Sequence, residues 1–398
     1  MAHVVSCAVG WSAADEAAAA GAEAVARALE LLDGGDVRLA VAFGSSWFDQ
    51  QELLEGLRTA IGNVPLVGGS TAGEIAPDGP HTRSCVVLLM ASSAVTCSVG
   101  AGTRVEDDPR QAGHRVAYTA ARHQADTHRM GFLFFADGLA TSYTNVVRGM
   151  QEVLGNNALI VGALMGDDLR FARTYQYANE QLLSQAVAGV LVSGPGKIGV
   201  GIEHGFAPIS KPRQITRAHA NVLQELDHQP AASVYEEYFG TEAVGRLARE
   251  GMLTRQAIAY PLGIQCEAPN RWLLRNVVAF QDDGSLSCNG EILEGSWLQL
   301  MIGSRELALD AAETATREAI RSLNRVAGLL VFDSAARRRL LGEHHAAMEI
   351  ARIRRIVGAS VPVAGCYTYG EQGPIGSALV AGQAAVQTGS ILVMALGE

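Results

Sequence analysis

Two thirteen-residue stretches hold most of the residue types that could do chemistry. Residues 65–77 read PLVGGSTAGEIAP and residues 362–374 read PVAGCYTYGEQGP. Aligned without a gap, they share Pro65/Pro362, Gly68/Gly365, Thr71/Thr368, Gly73/Gly370, Glu74/Glu371 and Pro77/Pro374. Glycine lets backbone N–H groups approach a ligand with no Cβ in the way. Strand-to-loop turns at sheet ends are common ligand positions in α/β folds. The pattern therefore suits binding of a small polar molecule. Gly68, Gly69 and Gly73 would open the backbone. Ser70, Thr71 and Thr368 would exchange hydrogen bonds. Glu74 and Glu371 would accept from an amine, or else tie their own loops to neighbouring backbone. Tyr367 and Tyr369 offer either an aromatic wall with a polar tip or core packing. Cys366 reads as a buried thiol or a ligand contact.

A third stretch, residues 160–168 (IVGALMGDD), matches in part: Asp167 also follows a glycine directly. Adjacent Asp167 and Asp168 cannot both point one way in an extended segment, so one of them caps a loop or helix. Asp137 follows a strand-like run and serves either as the Asp-Gly turn or as a site carboxylate. His204 follows the strand-like run 198–202 and opens the connector between the two domains.

These residues need elements to position them, and the same order of elements recurs three times. Strand-like runs at 39–43, 131–135 and 328–332 each end in a small polar loop. Helical stripes follow: Leu53, Leu54, Leu57 and Ile61; Val146, Val147, Met150, Val153 and Leu154; Ile350, Ile353 and Val357. Each glycine-acid stretch then leads to another apolar strand at 85–91, 186–193 or 390–396. The fold class is α/β, with mixed sheets flanked by helices. The repeated strand-helix-strand units are expected in two domains, 1–203 and 204–398, joined near the Gly/Pro-rich stretch 194–212. Residues 214–300 break the pattern, with a short strand, a helix at 230–250, strands around 257–265, 272–281 and 296–302 and a hairpin turn at Asp282-Asp283-Gly284; a long helix at 304–325 follows.

The 398 residues carry a formal net charge of −10 and 48% hydrophobic residues. That balance fits packed domains and argues against nucleic acid, whose binders show a basic stripe. The longest basic run, Arg337 to Arg339, reads as a solvated helix face. No apolar run reaches the length of a membrane helix. The absence of a secretory leader and of any CxxC pair points to reduced cysteines and a cytoplasmic setting. The stretch 68–72 is not a GxSxG nucleophile elbow, because Ala72 stands at the last glycine, so an enzyme is not expected and a hydrolase is the alternative.

The stretch Val67–Glu74 resembles the signature loop of FIST_N domains, and Phe135–Gly138 and Gly162–Phe171 resemble later blocks of the same domain. His204-Gly205-Phe206, Glu294-Gly295-Ser296 and Gly365–Glu371 are similar to FIST_C. The resemblance divides the chain into a FIST_N-like domain at 1–203 and a FIST_C-like domain at 204–398. It implies a sensory input protein for small ligands such as amino acids. It also admits the family's haem-binding nitric-oxide sensors (the NosP type), with His204 as candidate axial ligand and a histidine kinase or cyclic-di-GMP enzyme as separate partner. One departure stands out: Ser334 occupies a position where the family often has Cys.

Overall fold

The computed structural model describes residues 5–32, 35–122, 128–140, 142–250, 258–266, 272–374 and 387–398. Three consecutive copies of one α/β unit make up most of the chain. Unit one runs β1 (Ser6–Ser12), α1 (Ala17–Leu31), β2 (Val37–Ser45), α2 (Gln50–Ile61), β3 (Leu66–Thr71), a hairpin of β4 (Glu74–Ala76) and β5 (Gly79–His81), and β6 (Cys85–Ala91). Unit two repeats it with β7 (Thr96–Thr103), α3 (Pro109–Ala121), β8 (Arg129–Asp137), α4 (Tyr143–Leu154), β9 (Ile160–Met165), β10 (Gln176–Ala178), β11 (Gln181–Leu183) and β12 (Ala186–Ser193). Unit three opens with β13 (Lys197–Glu203) and is then interrupted.

The interruption holds β14 (Phe206–Pro208), β15 (Arg213–His219), β16 (Val222–Leu226), β17 (Gln229–Pro230), α5 (Ser233–Phe239), α6 (Thr241–Glu250), β18 (Leu262–Gln265), β19 (Trp272–Arg275), β20 (Val277–Phe280), β21 (Leu286–Cys288) and β22 (Trp297–Gly303). These strands form one separate antiparallel sheet around its own core, which includes Ile215, Leu223, Leu262 and Leu300. The Asp282–Gly284 turn joins β20 to β21, with Gly284 at φ 80°. The single helix expected at 230–250 is two helices, because Gly240 takes φ 78° and breaks the run. Residue 257 of the expected strand at 257–265 lies outside the described residues. Unit three resumes with α7 (Arg305–Ile320), β23 (Val326–Ser334), α8 (Ala335–Val357), β24 (Val363–Thr368), β25 (Gly370–Gln372) and β26 (Ile391–Gly397).

Each unit's long strands take the same order: β1-β6-β2-β3, β7-β12-β8-β9 and β13-β26-β23-β24. The last pair in each is parallel and the others are antiparallel, so the sheets are mixed. Another unit then extends each sheet. The unit-two hairpin pairs with β3, β25 of unit three pairs with β9, and the unit-one hairpin pairs with β24. This exchange is cyclic, and strands from both sides of residue 203 share two of the sheets.

Alternation along the central strands explains why they read as continuous apolar runs. Leu39, Val41 and Phe43 face a core common to all three units, while Ala40 and Ala42 face the unit's helices. Leu133 and Phe135 of β8, and Leu330 and Phe332 of β23, face the common core in the same way. The three phenylalanines meet there edge to face, with ring centroids 5.7 Å (Phe43–Phe135), 6.0 Å (Phe43–Phe332) and 5.7 Å (Phe135–Phe332) apart. Such pairs add to the burial of the rings themselves. Replacing Phe135 with Ala is expected to cost about 3–5 kcal/mol in denaturant unfolding. Leu31→Ala, at a side chain 69% exposed, should stay within about 0.5 kcal/mol of the parent. Equal effects from the two would refute the common core.

Candidate functional site

The glycine-acid stretches lie at the roots of the exchanged hairpins. Within β3, Gly68 takes φ 149°, and a Cβ there would fall 1.8 Å from Ala42 O, so only glycine fits. Glu74 is fully buried. Its Oε1 accepts from Thr71 Oγ1, and its Oε2 accepts from Ser84 Oγ at 2.6 Å and Ser84 N at 3.2 Å. Glu371 repeats the arrangement, accepting from Thr368 Oγ1 at 2.6 Å, Ser390 Oγ at 2.5 Å and Ser390 N at 3.3 Å. Burial pushes Glu74 up to about 7 and Glu371 up to about 8, against the pull of the Ser and Thr hydroxyl donors.

Unit two builds the same tie from different residues. In the sheets, Glu74 faces Cys366 and Glu371 faces Ala163, and the residue in that place opposite Gly69 is Gln176. Asp167, the sequence match, does not occupy it. The carboxylate comes instead from Asp137 at the end of β8. It accepts from Thr174 Oγ1 at 2.8 Å, Leu139 N at 2.9 Å and Gln185 N at 3.1 Å. Gln185 precedes the unit's last strand, as Ser84 and Ser390 precede theirs.

Asp167 organises the loop after β9. Its carboxylate accepts from the backbone N–H of Phe171, Ala172 and Arg173, and from Tyr369 Oη at 2.5 Å. The Tyr369 hydroxyl oxygen in turn accepts from Leu169 N at 2.9 Å, and the Tyr369 ring stacks on Phe171 at 4.9 Å. Held this way, Asp168, Leu169 and Phe171 keep left-handed φ values of 55°, 61° and 51°, a conformation costly for side-chain-bearing residues. Asp168 then accepts from Ser45 Oγ at 3.0 Å and Ser46 Oγ at 2.6 Å.

Beside this loop opens a cleft of about 690 Å³, walled by all three units. Ser45, Trp47, Ala72, Thr82 and Arg83 come from unit one, Asp168, Leu169 and Arg170 from unit two, and Ala335, Arg338, Arg339, Gly342 and Glu343 from unit three. The run Arg337–Arg339 is therefore a solvated face only at Arg339, while Arg337 is buried and Arg338 half-buried. Arg337 is fully buried and paired with Asp333 at 2.7 Å and with Glu349, and it donates to His204 O at 2.7 Å. Four residues after Asp333, Arg337 turns back onto the strand end, and its neighbours are thereby aimed at the cleft. Arg338 stacks over Tyr367 at 4.6 Å and donates to Ala72 O at 3.0 Å. Gly73, at φ 123°, leaves room for it.

The sequence-selected residues thus gather behind the cleft. Gly68, Gly69, Ser70, Thr71, Glu74, Asp137, Asp167, Cys366, Tyr367, Thr368 and Glu371 are buried. The two stretches bond directly, Ala72 N to Tyr367 O at 2.9 Å and Tyr367 N to Gly73 O at 2.7 Å. Ser70 Oγ donates to Gly166 O at 2.7 Å and ties unit one to unit two. Burial raises the Cys366 thiol well above its ordinary value. His204 lies away from the cleft wall, and its Nδ1 accepts from Phe206 N at 3.0 Å. Sequence reasoning missed Trp47, Thr82, Arg83, Arg170, Arg338 and Arg339. One signal for the last two was present: basic residues directly after a strand end, where units one and two carry short loops.

The buried glutamates set a pH dependence. Their folded-state values lie above the unfolded one, so the folded chain holds more protons as pH rises out of the ordinary glutamate range. The stability they contribute is fully present below that range and is lost as pH rises toward about 8. Glu74→Gln with Glu371→Gln should flatten the decline, whose slope is on the order of 1.4 kcal/mol per pH unit per site. Denaturant unfolding across that range measures it, and an unchanged slope in the double variant would contradict the assignment.

Among the described residues, no group of three or more His, Cys, Asp or Glu is placed to hold a metal ion. No described helix is long and apolar enough to cross a membrane. Comparison with known proteins finds the FIST N domain over residues 38–229 and the FIST C domain over 231–374. An uncharacterized protein of Mycobacterium tuberculosis is 26% identical over 383 residues, 92% of this chain and 94% of that relative. An uncharacterized protein of Methanocaldococcus jannaschii is 27% identical over 203 residues, 47% of this chain and 37% of that one. Cyanuric acid hydrolase of A. caulinodans aligns over 99% of both chains, but at 11% identity and a TM-score of 0.37 the likeness carries no argument. The two family matches together span most of the sequence, and the chain belongs to the FIST family, whose domains are associated with small-ligand sensing.

Proposed function

We propose that this protein is a sensor whose small ligand sits in the cleft between the three units. The observation that carries the reading is that every unit contributes to the wall. A ligand there touches the joints between units, and one that prefers a particular arrangement of them shifts its population. A route outward is at hand. Next to Arg338 and Arg339, Leu340 and Leu341 pack against Phe206, Leu274 and Met301 of the inserted sheet. Under this reading the bound state passes to a separate partner in the cytoplasm, a histidine kinase or a cyclic-di-GMP enzyme.

Binding is favoured over turnover because Ser45 and Ser46 both donate to Asp168. These two hydroxyls tie down the loop at Asp168, and no histidine stands in the cleft wall to take up a proton. A hydrolase, the alternative, would convert an ester or amide panel. Haem does not fit this cleft, whose lining includes no His, Cys or Tyr to bind iron axially. A haem ligand would therefore need another cavity, near His204. A Soret band in the purified protein, lost in His204→Ala, would show that.

A panel of amino acids and other small metabolites should contain members that raise the melting temperature, since a ligand of the native state adds stability. Thr82→Trp, at an exposed cleft residue, should abolish the rise without lowering the unliganded melting temperature. A rise that survives Thr82→Trp places the ligand elsewhere.

A further inference from the structure

We infer that the cleft recognises an oxyanion, a carboxylate or phosphate group on a small molecule, held by Arg83, Arg170, Arg338 and Arg339. This rests on the cleft being the ligand site. Four of its thirteen lining residues are arginine, against 29 of 398 in the chain. They reach one space from all three units, so sequence proximity explains only the Arg338–Arg339 pair. Several guanidiniums elsewhere are neutralised: Arg352, for example, pairs with Asp310 and Glu313. Among the described residues, none of the four cleft arginines has a carboxylate ion-pair partner. Of the two lining acids, Asp168 is engaged by Ser45 and Ser46, and Glu343 is exposed. Like charges gathered in one cleft repel, and a bound anion relieves that repulsion.

The side chains are also prepared for the task. Arg338 is fixed by the Tyr367 ring and by donation to Ala72 O and His81 O, which leaves other N–H groups of its five unspent. Arg83 lies over the Trp47 ring at 3.8 Å, a stacking that occupies its face and leaves its N–H edge available. Arg170 sits between the left-handed residues Leu169 and Phe171, so its placement is maintained against backbone strain. Planar guanidinium forks match carboxylate and phosphate oxygens two at a time. Ala72, Leu169 and Ala335 add apolar wall for a carbon skeleton. The chain's net charge of −10 sets a small anion apart from a polyanion, which would meet the negative surface outside the cleft.

Titration calorimetry with inorganic phosphate, succinate and the neutral succinamide tests this. Phosphate or succinate should bind saturably, with affinity falling as salt is added, and succinamide should not. Whichever acid binds more tightly identifies the group. Arg170→Ala with Arg339→Ala should weaken binding by about tenfold or more. Both side chains are exposed, so the variant should keep the parent's circular dichroism and unfolding midpoint. Arg148→Ala, on α4 away from the cleft, should bind like the parent. Equal binding of succinamide and succinate, or no loss in the double variant, overturns the inference. A neutral metabolite that binds and is blocked by Thr82→Trp overturns it while leaving the sensor reading intact. Failure of every acid and every metabolite to bind defeats both.

Discussion

Every sheet in the three-unit body ends in strands borrowed from another unit, and most of the remaining architecture answers to that loan. A free edge on β3, β9 or β24 would leave a row of backbone donors and acceptors unpaired. The borrowed hairpin fills it, but the chain must leave its own sheet, cross into the next and return. Polar groups at the crossing are buried and must be satisfied there. A carboxylate meets the need in each unit: Glu74, Asp137 and Glu371 each accept from a threonine hydroxyl and from the backbone N–H that precedes the unit's last strand. The acid type and its place in the chain differ, while the hydrogen-bonded knot is the same. The requirement therefore lies in closing the crossing, and it explains why carboxylates with no access to solvent are retained at a cost in ionisation.

The exchange also explains the core. With each unit clasping another, the central strands have no free face. One side meets helices and the other meets the common cluster around Phe43, Phe135 and Phe332. Units that bury one face only against each other cannot be stable alone. The body should then unfold as one cooperative block, with the sheet inserted at 206–303 having a separate core of its own.

Much of this was legible in the sequence. Apolar runs mark two long strands of each unit and helical stripes mark α2, α4 and α8, while α1 and α3 were not anticipated; six shared residues tie the first stretch to the third. The exchange itself was not legible, because a strand's pattern records that it is buried and not which unit it pairs with. Unit two misled for a local reason. The loop that separates Met165 from Gln176 moves the hairpin root downstream, so Asp167 follows a glycine without standing where Glu74 and Glu371 stand. Arg337 misled because a three-arginine run looks solvated until its partners, Asp333 on the strand and Glu349 on the far side of the helix kink, are brought to it. The glycines and carboxylates singled out in the sequence are buried and tie the strand crossings behind the cleft.

A nearly symmetric body offers three equivalent joints, and a single ligand cleft requires that one of them differ. Unit three supplies the difference. Units one and two pass from strand to helix through residues 46–49 and 138–142, while unit three enters helix at once at Ala335 and breaks it at Gly342, where φ is 70° and ψ is 169°. The extra turns carry Arg338 and Arg339 to the cleft and Leu340 and Leu341 to the inserted sheet. Arg337 holds them in place by pairing with Asp333 before the helix and Glu349 beyond the kink, so that one buried guanidinium fixes both arms of the bend. Burial, reinforced by Asp333, keeps Glu349 well above the ordinary carboxylate range. Buried ion networks of this kind cost desolvation and are weak evidence of added stability. What this one secures is the angle of a segment that borders both the cleft and the inserted sheet.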